Sequence, residues 1–145
     1  MAHAKTFALG LAVLTLMTTA EPALAAADFT GKWTDNASAM KRIGNLTIGR
    51  KQITLGRTAW SVAATGDFGD GEYFRIAGVN RHSDPMGCGP HDKVTYILVV
   101  PVAQDPGSPR RAVMVTFYSG EDAPVAATLA SSMDVCRTHP FGRAG

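Results

Sequence analysis

Long apolar runs, clustered charge and internal repeats are all scarce in this sequence. The longest apolar run lies at the N-terminus, from Phe7 to Met17, and it is shorter than the roughly 20 residues that span a bilayer. We therefore expect no transmembrane helix. The formal net charge is only +2, and the basic residues form no continuous stripe. This composition argues against a nucleic-acid partner, which usually requires a concentrated basic surface.

The apolar run is typical of a secretory signal peptide. Lys5 precedes it, and the small residues Ala23 and Ala25 form an A-x-A cleavage pattern after it. We expect residues 1–25 to be removed and residues 26–145 to form a single domain, since 120 residues suffice for one core. The mature protein is then expected in a bacterial periplasm or secreted.

Alternating apolar and polar residues predict an all-β domain. The Gly-rich and Asp-rich segment 65–71 and the long segment 80–92 read as loops between strands. The predicted strands cover residues 28–34, 45–48, 53–55, 58–64, 72–79, 93–102, 111–118 and 133–137. This pattern of about seven or eight short strands favours a small antiparallel barrel or a flattened sandwich. Residues 119–132 fit either one short helix or an irregular arm.

The start of the predicted domain reads Phe29-Thr30-Gly31-Lys32-Trp33. This segment resembles the G-x-W start of the lipocalin/calycin barrels, in which the tryptophan packs across the base of the barrel. The resemblance implies a barrel with Trp33 as a core residue, and it extends to small exported bacterial inhibitors of proteases and lysozyme. Trp60 is expected in the core because it shares one face of an alternating strand with Val62 and Ala64. The chain is shorter than the larger lipocalins and shows no obvious arginine motif placed to cover the tryptophan, which argues against a deep ligand pocket.

The two cysteines each begin a C-x-x-H unit, one at Cys88 and His91 and the other at Cys136 and His139. Two thiolates and two imidazoles are a possible tetrahedral zinc set. A Cys88–Cys136 disulfide is the favoured alternative, because an exported chain with two cysteines meets an oxidising compartment. With the disulfide formed, the weak metal candidates that remain are His82, His91 and His139, with Met86 nearby.

No spacing in the chain identifies a catalytic group or a cofactor site. A hydrolase would need a loop histidine, a serine and a carboxylate to converge, and adjacency in sequence does not establish this. The candidate binding loop carries His82, Asp84, Met86 and His91. The basic residues Lys41, Arg42, Arg50, Lys51 and Arg57 flank the second and third strands, and they would suit an acidic partner if they shared one end of a barrel.

The sequence thus predicts an exported, non-enzymatic binding module for an unidentified protein or small molecule, with an inhibitor implied by the resemblance. The alternative is a periplasmic metal-binding or stress-related protein that uses the loop histidines. A barrel interior that is open would favour a small ligand, whereas a filled interior would place function on the loops and the surface.

Overall fold

A computed structural model describes residues 28–38, 40–80, 88, 93–103, 112–125, 129 and 132–143. The predicted signal peptide and the loop residues His82, Asp84, Met86 and His91 lie outside these described residues. Among the described residues, no helix is long and apolar enough to cross a membrane.

The domain is a closed antiparallel β-barrel of eight strands, each paired with its neighbours in sequence and the last paired with the first. The strands are β1 (Gly31–Asp35), β2 (Leu46–Ile48), β3 (Gln52–Leu55), β4 (Thr58–Phe68), β5 (Gly71–Asn80), β6 (Tyr96–Pro101), β7 (Ala112–Tyr118) and β8 (Val135–Arg143). The predicted all-β class is therefore confirmed, in its barrel form.

Period-two patterning explains which side chains fill the barrel. On β7, Val113, Val115 and Phe117 point inward and are almost fully buried, as the alternation predicts. The inner cluster takes members from all eight strands. Trp60 of β4 and Phe117 of β7 meet across the interior with ring centroids 5.8 Å apart. Because strands this far apart in the barrel contact each other through their rings, the middle of the interior is occupied by the protein's own side chains.

A second cluster lies on the outside of β5, β6 and β7. Tyr73, Tyr96 and Tyr118 stack edge to face along it, and the partly buried Leu129 packs on the same cluster from the connection between β7 and β8. The N–H of Leu129 donates to the carbonyl oxygen of Val125, as in one helical turn. The connection therefore serves as a cover for an apolar outer face of the sheet.

Two strands are longer than the sequence predicts. β4 continues to Phe68, so most of the predicted loop 65–71 is strand, and two register shifts between Ser61 and Ala64 disturb its alternation. β8 continues to Arg143 through Pro140 and Gly142, which read as turn residues in the sequence. Its pairing with both β7 and β1 closes the barrel and outweighs this local preference.

The closing pair of strands also corrects the prediction that no arginine covers the tryptophan. Trp33 and Arg143 are register partners across β1 and β8, and the guanidinium carbon of Arg143 lies 5.1 Å from the centroid of the Trp33 ring. The indole N–H of Trp33 donates to the carbonyl oxygen of Phe29 at 2.9 Å. Phe29, Trp33 and Arg143 together close the end of the barrel at which β1 begins, here named the tryptophan end.

The opposite end is where β1, β3, β5 and β7 finish. Its connections are residues 36–45, 56–57, 81–95 and 119–134. Cys88, in the third connection, is joined to Cys136 of β8 by a disulfide with a Cα–Cα distance of 4.7 Å. The predicted pairing is confirmed, and we name this the disulfide end. Cys88 is only 6% exposed and belongs to the inner cluster, so the bridge fixes one point of a long connection against the core.

Candidate functional site: a loop held by a buried carboxylate

Asp35 is the last residue of β1 and points into the barrel. Trp33 lies two residues before it, so both side chains fall on the inner face of the strand. Asp35 is 7% exposed, which makes it one of the few charged residues buried in the described part of the chain. A buried carboxylate is costly unless its oxygens accept several hydrogen bonds. The hydrogen-bond partners of Asp35 therefore indicate its structural role.

Three backbone N–H groups of the loop 36–45 donate to this carboxylate. The N–H of Ala37 reaches Oδ1 at 3.1 Å, and the N–H groups of Ile43 and Gly44 both reach Oδ2, the latter at 3.0 Å. The N–H of Asp35 in turn donates to the side-chain oxygen of Asn45 at 3.3 Å. One side chain thus holds backbone groups near the two ends of the loop together.

His139 completes the set of donors from the other side of the barrel seam. It lies on the inner face of β8, is 1% exposed, and places its Nε2 atom 2.8 Å from Oδ1 of Asp35. Burial alone would raise the pKa of Asp35, but the hydrogen bonds from His139 and from the three loop amides outweigh it and lower the pKa to about 2. The carboxylate is therefore ionised at neutral pH and acts only as an acceptor, so Nε2 of His139 carries the proton that is shared.

Gly44 and Gly56 allow the loop 36–45 to lie close to the turn 56–57. Gly44 has a φ of +103°, a conformation that side chains rarely adopt, and this allows its N–H to face Asp35. A Cβ atom on Gly44 would lie 3.6 Å from the backbone of Gly56. The N–H of Gly56 donates to the carbonyl oxygen of Asn45. The loop 36–45 and the turn 56–57 therefore form one continuous, hydrogen-bonded part of the disulfide end.

A histidine–aspartate pair also occurs in hydrolases, where the imidazole meets a nucleophile at an accessible cleft. Here the imidazole is enclosed, with the Phe141 ring centroid 5.2 Å from its own. A substrate has no access to a side chain that is 1% exposed. The arrangement of Asp35 and His139 is therefore suited to holding the loop rather than to chemistry on a ligand.

The structure places the predicted site residues as follows. Trp33 and Trp60 are core residues, and Cys88 and Cys136 form the disulfide. His139, a weak candidate for metal binding, is buried with one ring nitrogen already bonded to Asp35. Within the described residues, no group of three or more histidine, cysteine, aspartate or glutamate side chains is arranged to hold a metal ion. His82 and His91 lie outside that part of the chain, so the metal site stays a prediction.

The basic residues do not share one end of the barrel. Lys41, Arg42 and Arg57 lie at the disulfide end, whereas Arg50 and Lys51 lie in the β2–β3 turn at the tryptophan end. All five are exposed. The disulfide end also carries most of the exposed large apolar side chains of the described residues, namely Met40, Val79, Val125 and Met133.

Asp35 is the site residue that the sequence interpretation missed. The alternation predicts a first strand that ends at residue 34, which places Asp35 in the following loop with no role. A signal was present, because an aspartate at the end of a strand commonly accepts a hydrogen bond from the N–H two residues later, as Asp35 does from Ala37. The sequence predicts its partner His139 only as a neighbour of the disulfide and a weak metal candidate, because the last predicted strand stops at residue 137.

No family model, no curated protein and no solved structure matches this chain.

Proposed function

We propose that this protein is an exported binding module of lipocalin-like architecture, without catalytic activity, that contacts a protein partner through the connections at its disulfide end. The single observation that carries the proposal is the use of the buried Asp35 carboxylate to fix the exposed loop 36–45. Burying an ionised group beneath a surface loop costs free energy. In this domain the buried carboxylate accepts three hydrogen bonds from the loop backbone, and these give the loop a defined shape.

The filled interior supports a protein partner over a small molecule. Lipocalin-type barrels that carry small ligands hold them within the barrel, and this requires an open cavity. Trp60 and Phe117 occupy the middle of this interior in contact with each other. A barrel without an open cavity can still bind a partner through its surface loops. An inhibitor that docks against another protein binds in this way.

Export of the chain is part of the proposal. The disulfide between Cys88 and Cys136 supports it, because such bridges persist in oxidising compartments such as the periplasm. The N-terminal sequence supports it independently through its apolar run and its A-x-A pattern. The alternative function, metal binding through loop histidines, gains no support from His139, whose Nε2 atom is engaged by Asp35.

Two measurements on one preparation test the function. The full chain is expressed in a bacterial host and recovered from the periplasmic fraction. It is assayed for inhibition against a panel of purified exported proteases and muramidases, and for energy transfer from tryptophan to an apolar naphthalene dye. We expect inhibition or stable association with a member of the panel and no saturable energy transfer. Saturable dye binding that is lost on competition with fatty acids, with no effect on any hydrolase, would contradict the proposal.

A further inference from the structure

The side of the disulfide end formed by the loop 36–45 and the turn 56–57 combines exposed positive charge with an exposed apolar side chain. Met40 is 57% exposed, and Lys41, Arg42 and Arg57 are exposed beside it in the sequence or in the adjoining turn. The hydrogen bond from the N–H of Gly56 to the carbonyl oxygen of Asn45 joins the two segments. We refer to Met40, Lys41, Arg42 and Arg57 together as the basic rim.

Resting on the proposed function, we propose that the basic rim is the contact surface for a protein partner whose own surface is acidic around an apolar recess. Lys41 and Arg42 would pair with carboxylates at the edge of that recess, and Met40 would enter it. Methionine and arginine are enriched at protein interfaces, and methionine adapts its shape to an irregular pocket.

The charges of the basic rim are not paired with carboxylates among the described residues. Among the residues that the structure describes, His139 pairs with Asp35, and no ion pair includes Lys41, Arg42 or Arg57. The described carboxylates at the same end, Glu121, Asp122 and Asp134, belong to the β7–β8 connection. Positive charge that forms no ion pair in the described part of the domain steers an oppositely charged partner toward it.

The loop is also prepared for contact before the partner arrives. The Asp35 carboxylate bonds the backbone on both sides of residues 40–42, and Gly44 adopts its left-handed conformation without a side chain to oppose it. Ordering a flexible loop on binding would cost free energy for each immobilised residue, and a loop already held in place avoids that cost.

The same features favour a protein over the other anionic surfaces. Proteins that track phosphates usually neutralise about 6–10 of them with a continuous set of cations. The basic rim has three described cations, and the whole chain has a net charge of only +2. A surface that combines one apolar side chain with a small number of cations resembles a protein–protein interface, which mixes apolar and charged groups, more than a phosphate-binding surface.

Binding of defined probes tests this inference. The probes are a random copolymer of glutamate and tyrosine, phosphatidylglycerol vesicles, and single-stranded DNA, each titrated at low salt against the full chain recovered from the periplasm. The test variant is Lys41→Glu/Arg57→Glu. The matched control is Lys32→Glu/Lys51→Glu, which makes the same change of charge on exposed residues away from the disulfide end.

We expect the copolymer to bind best, with its half-saturation concentration raised about 10-fold by the test variant and less than about 2-fold by the control. Equal effects of the two variants, or no copolymer binding at all, would overturn the basic rim as the contact. Tighter binding to vesicles or to DNA would overturn the partner class. Equal effects of the two variants or absence of copolymer binding leave the proposed function standing, because another part of the disulfide end can still bind the protein partner. Saturable energy transfer to the apolar dye on the same sample counts against the function itself.

Discussion

Nε2 of His139 and Oδ1 of Asp35 lie 2.8 Å apart inside the barrel, at the seam where the last strand meets the first. This pair links β8, the strand that closes the barrel, to the loop 36–45. The same carboxylate accepts hydrogen bonds from the backbone N–H groups of Ile43 and Gly44 in that loop. A substitution of Asp35 or His139 should therefore change the conformation of the loop 36–45 and the affinity of that loop for its partner.

The first prediction concerns the charge of Asp35. In Asp35→Asn the negative charge is lost and one of the two oxygens becomes an NH₂ group, so at least one loop N–H that donated to the carboxylate then faces another donor. We expect the free energy of unfolding to fall by about 3 kcal/mol, measured by urea denaturation. The exposed Asp70→Asn in the β4–β5 turn is the control and should change it by less than about 0.5 kcal/mol. Equal values for the two variants would refute the role of the carboxylate.

The second prediction is the pH dependence that follows from the lowered pKa of Asp35. Its folded pKa is about 2 and its ordinary value is 3.8, so its contribution to stability is complete above 3.8 and is lost as the pH falls toward 2. The gap corresponds to about 2 kcal/mol. We expect the unfolding free energies of the wild-type protein and of Asp35→Asn to converge as the pH falls through this window.

Other carboxyls titrate in the same range and must be separated from Asp35. The pKa of Asp28 is lowered by its hydrogen bonds from Thr30, whereas burial raises the pKa of Glu72, which has the opposite effect on acid stability. Both groups are present in the wild-type protein and in Asp35→Asn, so the difference between the two stability curves isolates Asp35. Curves that stay parallel down to the lowest accessible pH would contradict the assigned pKa.

The third prediction concerns the disulfide. It closes a loop with a sequence separation of 48, for which the chain-entropy model gives about 4 kcal/mol of stabilisation. Replacing both cysteines in Cys88→Ser/Cys136→Ser should lower the unfolding free energy by an amount of this order, and a reducing agent should have the same effect on the wild-type protein. Intact mass of the periplasmic protein should show the loss of two hydrogens and of residues 1–25. Two titratable thiols in that sample would contradict the export proposal.

The fourth prediction tests the contact that closes the tryptophan end. Arg143→Met keeps much of the length of the side chain but removes the cation over the Trp33 ring, and we expect a loss of about 1 kcal/mol with a shift of tryptophan fluorescence. Arg143→Lys should recover part of the loss, since it restores the charge. Arg75→Met, on the exposed face of β5, is the matched control. A loss of equal size in the control would show that the Trp33 contact contributes nothing specific.

The sequence carried enough information for most of the fold. Alternation placed Val113, Val115 and Phe117 on the inner face of one strand, and it separated Phe74 and Ile76 from their outward neighbours on another. The cysteine count and the expected compartment gave the disulfide. These features depend on local patterning or on composition, and a single sequence reports both directly.

The candidate site depends on contacts that local patterning does not report. Asp35 and His139 meet because β8 pairs with β1. β8 contains Pro140 and Gly142, and because these residues are typical of turns, the strand predicted from composition ends before His139. The stacking of Arg143 on Trp33 follows from the same pairing. Pairing between the two ends of a chain is decided by closure of the whole barrel, so residues that depend on it become visible only once the topology is known.

Backbone chemical-shift mapping tests the central claim most directly. The isotope-labelled wild-type protein is titrated with the glutamate–tyrosine copolymer, and the shift of each amide resonance is followed. The basic rim as the contact surface predicts that the largest shifts fall on residues 40–44 and on Arg57, with small shifts in the β2–β3 turn that carries Arg50 and Lys51. The largest shifts on that turn, or on the inward residues Trp60 and Phe117, would contradict the account.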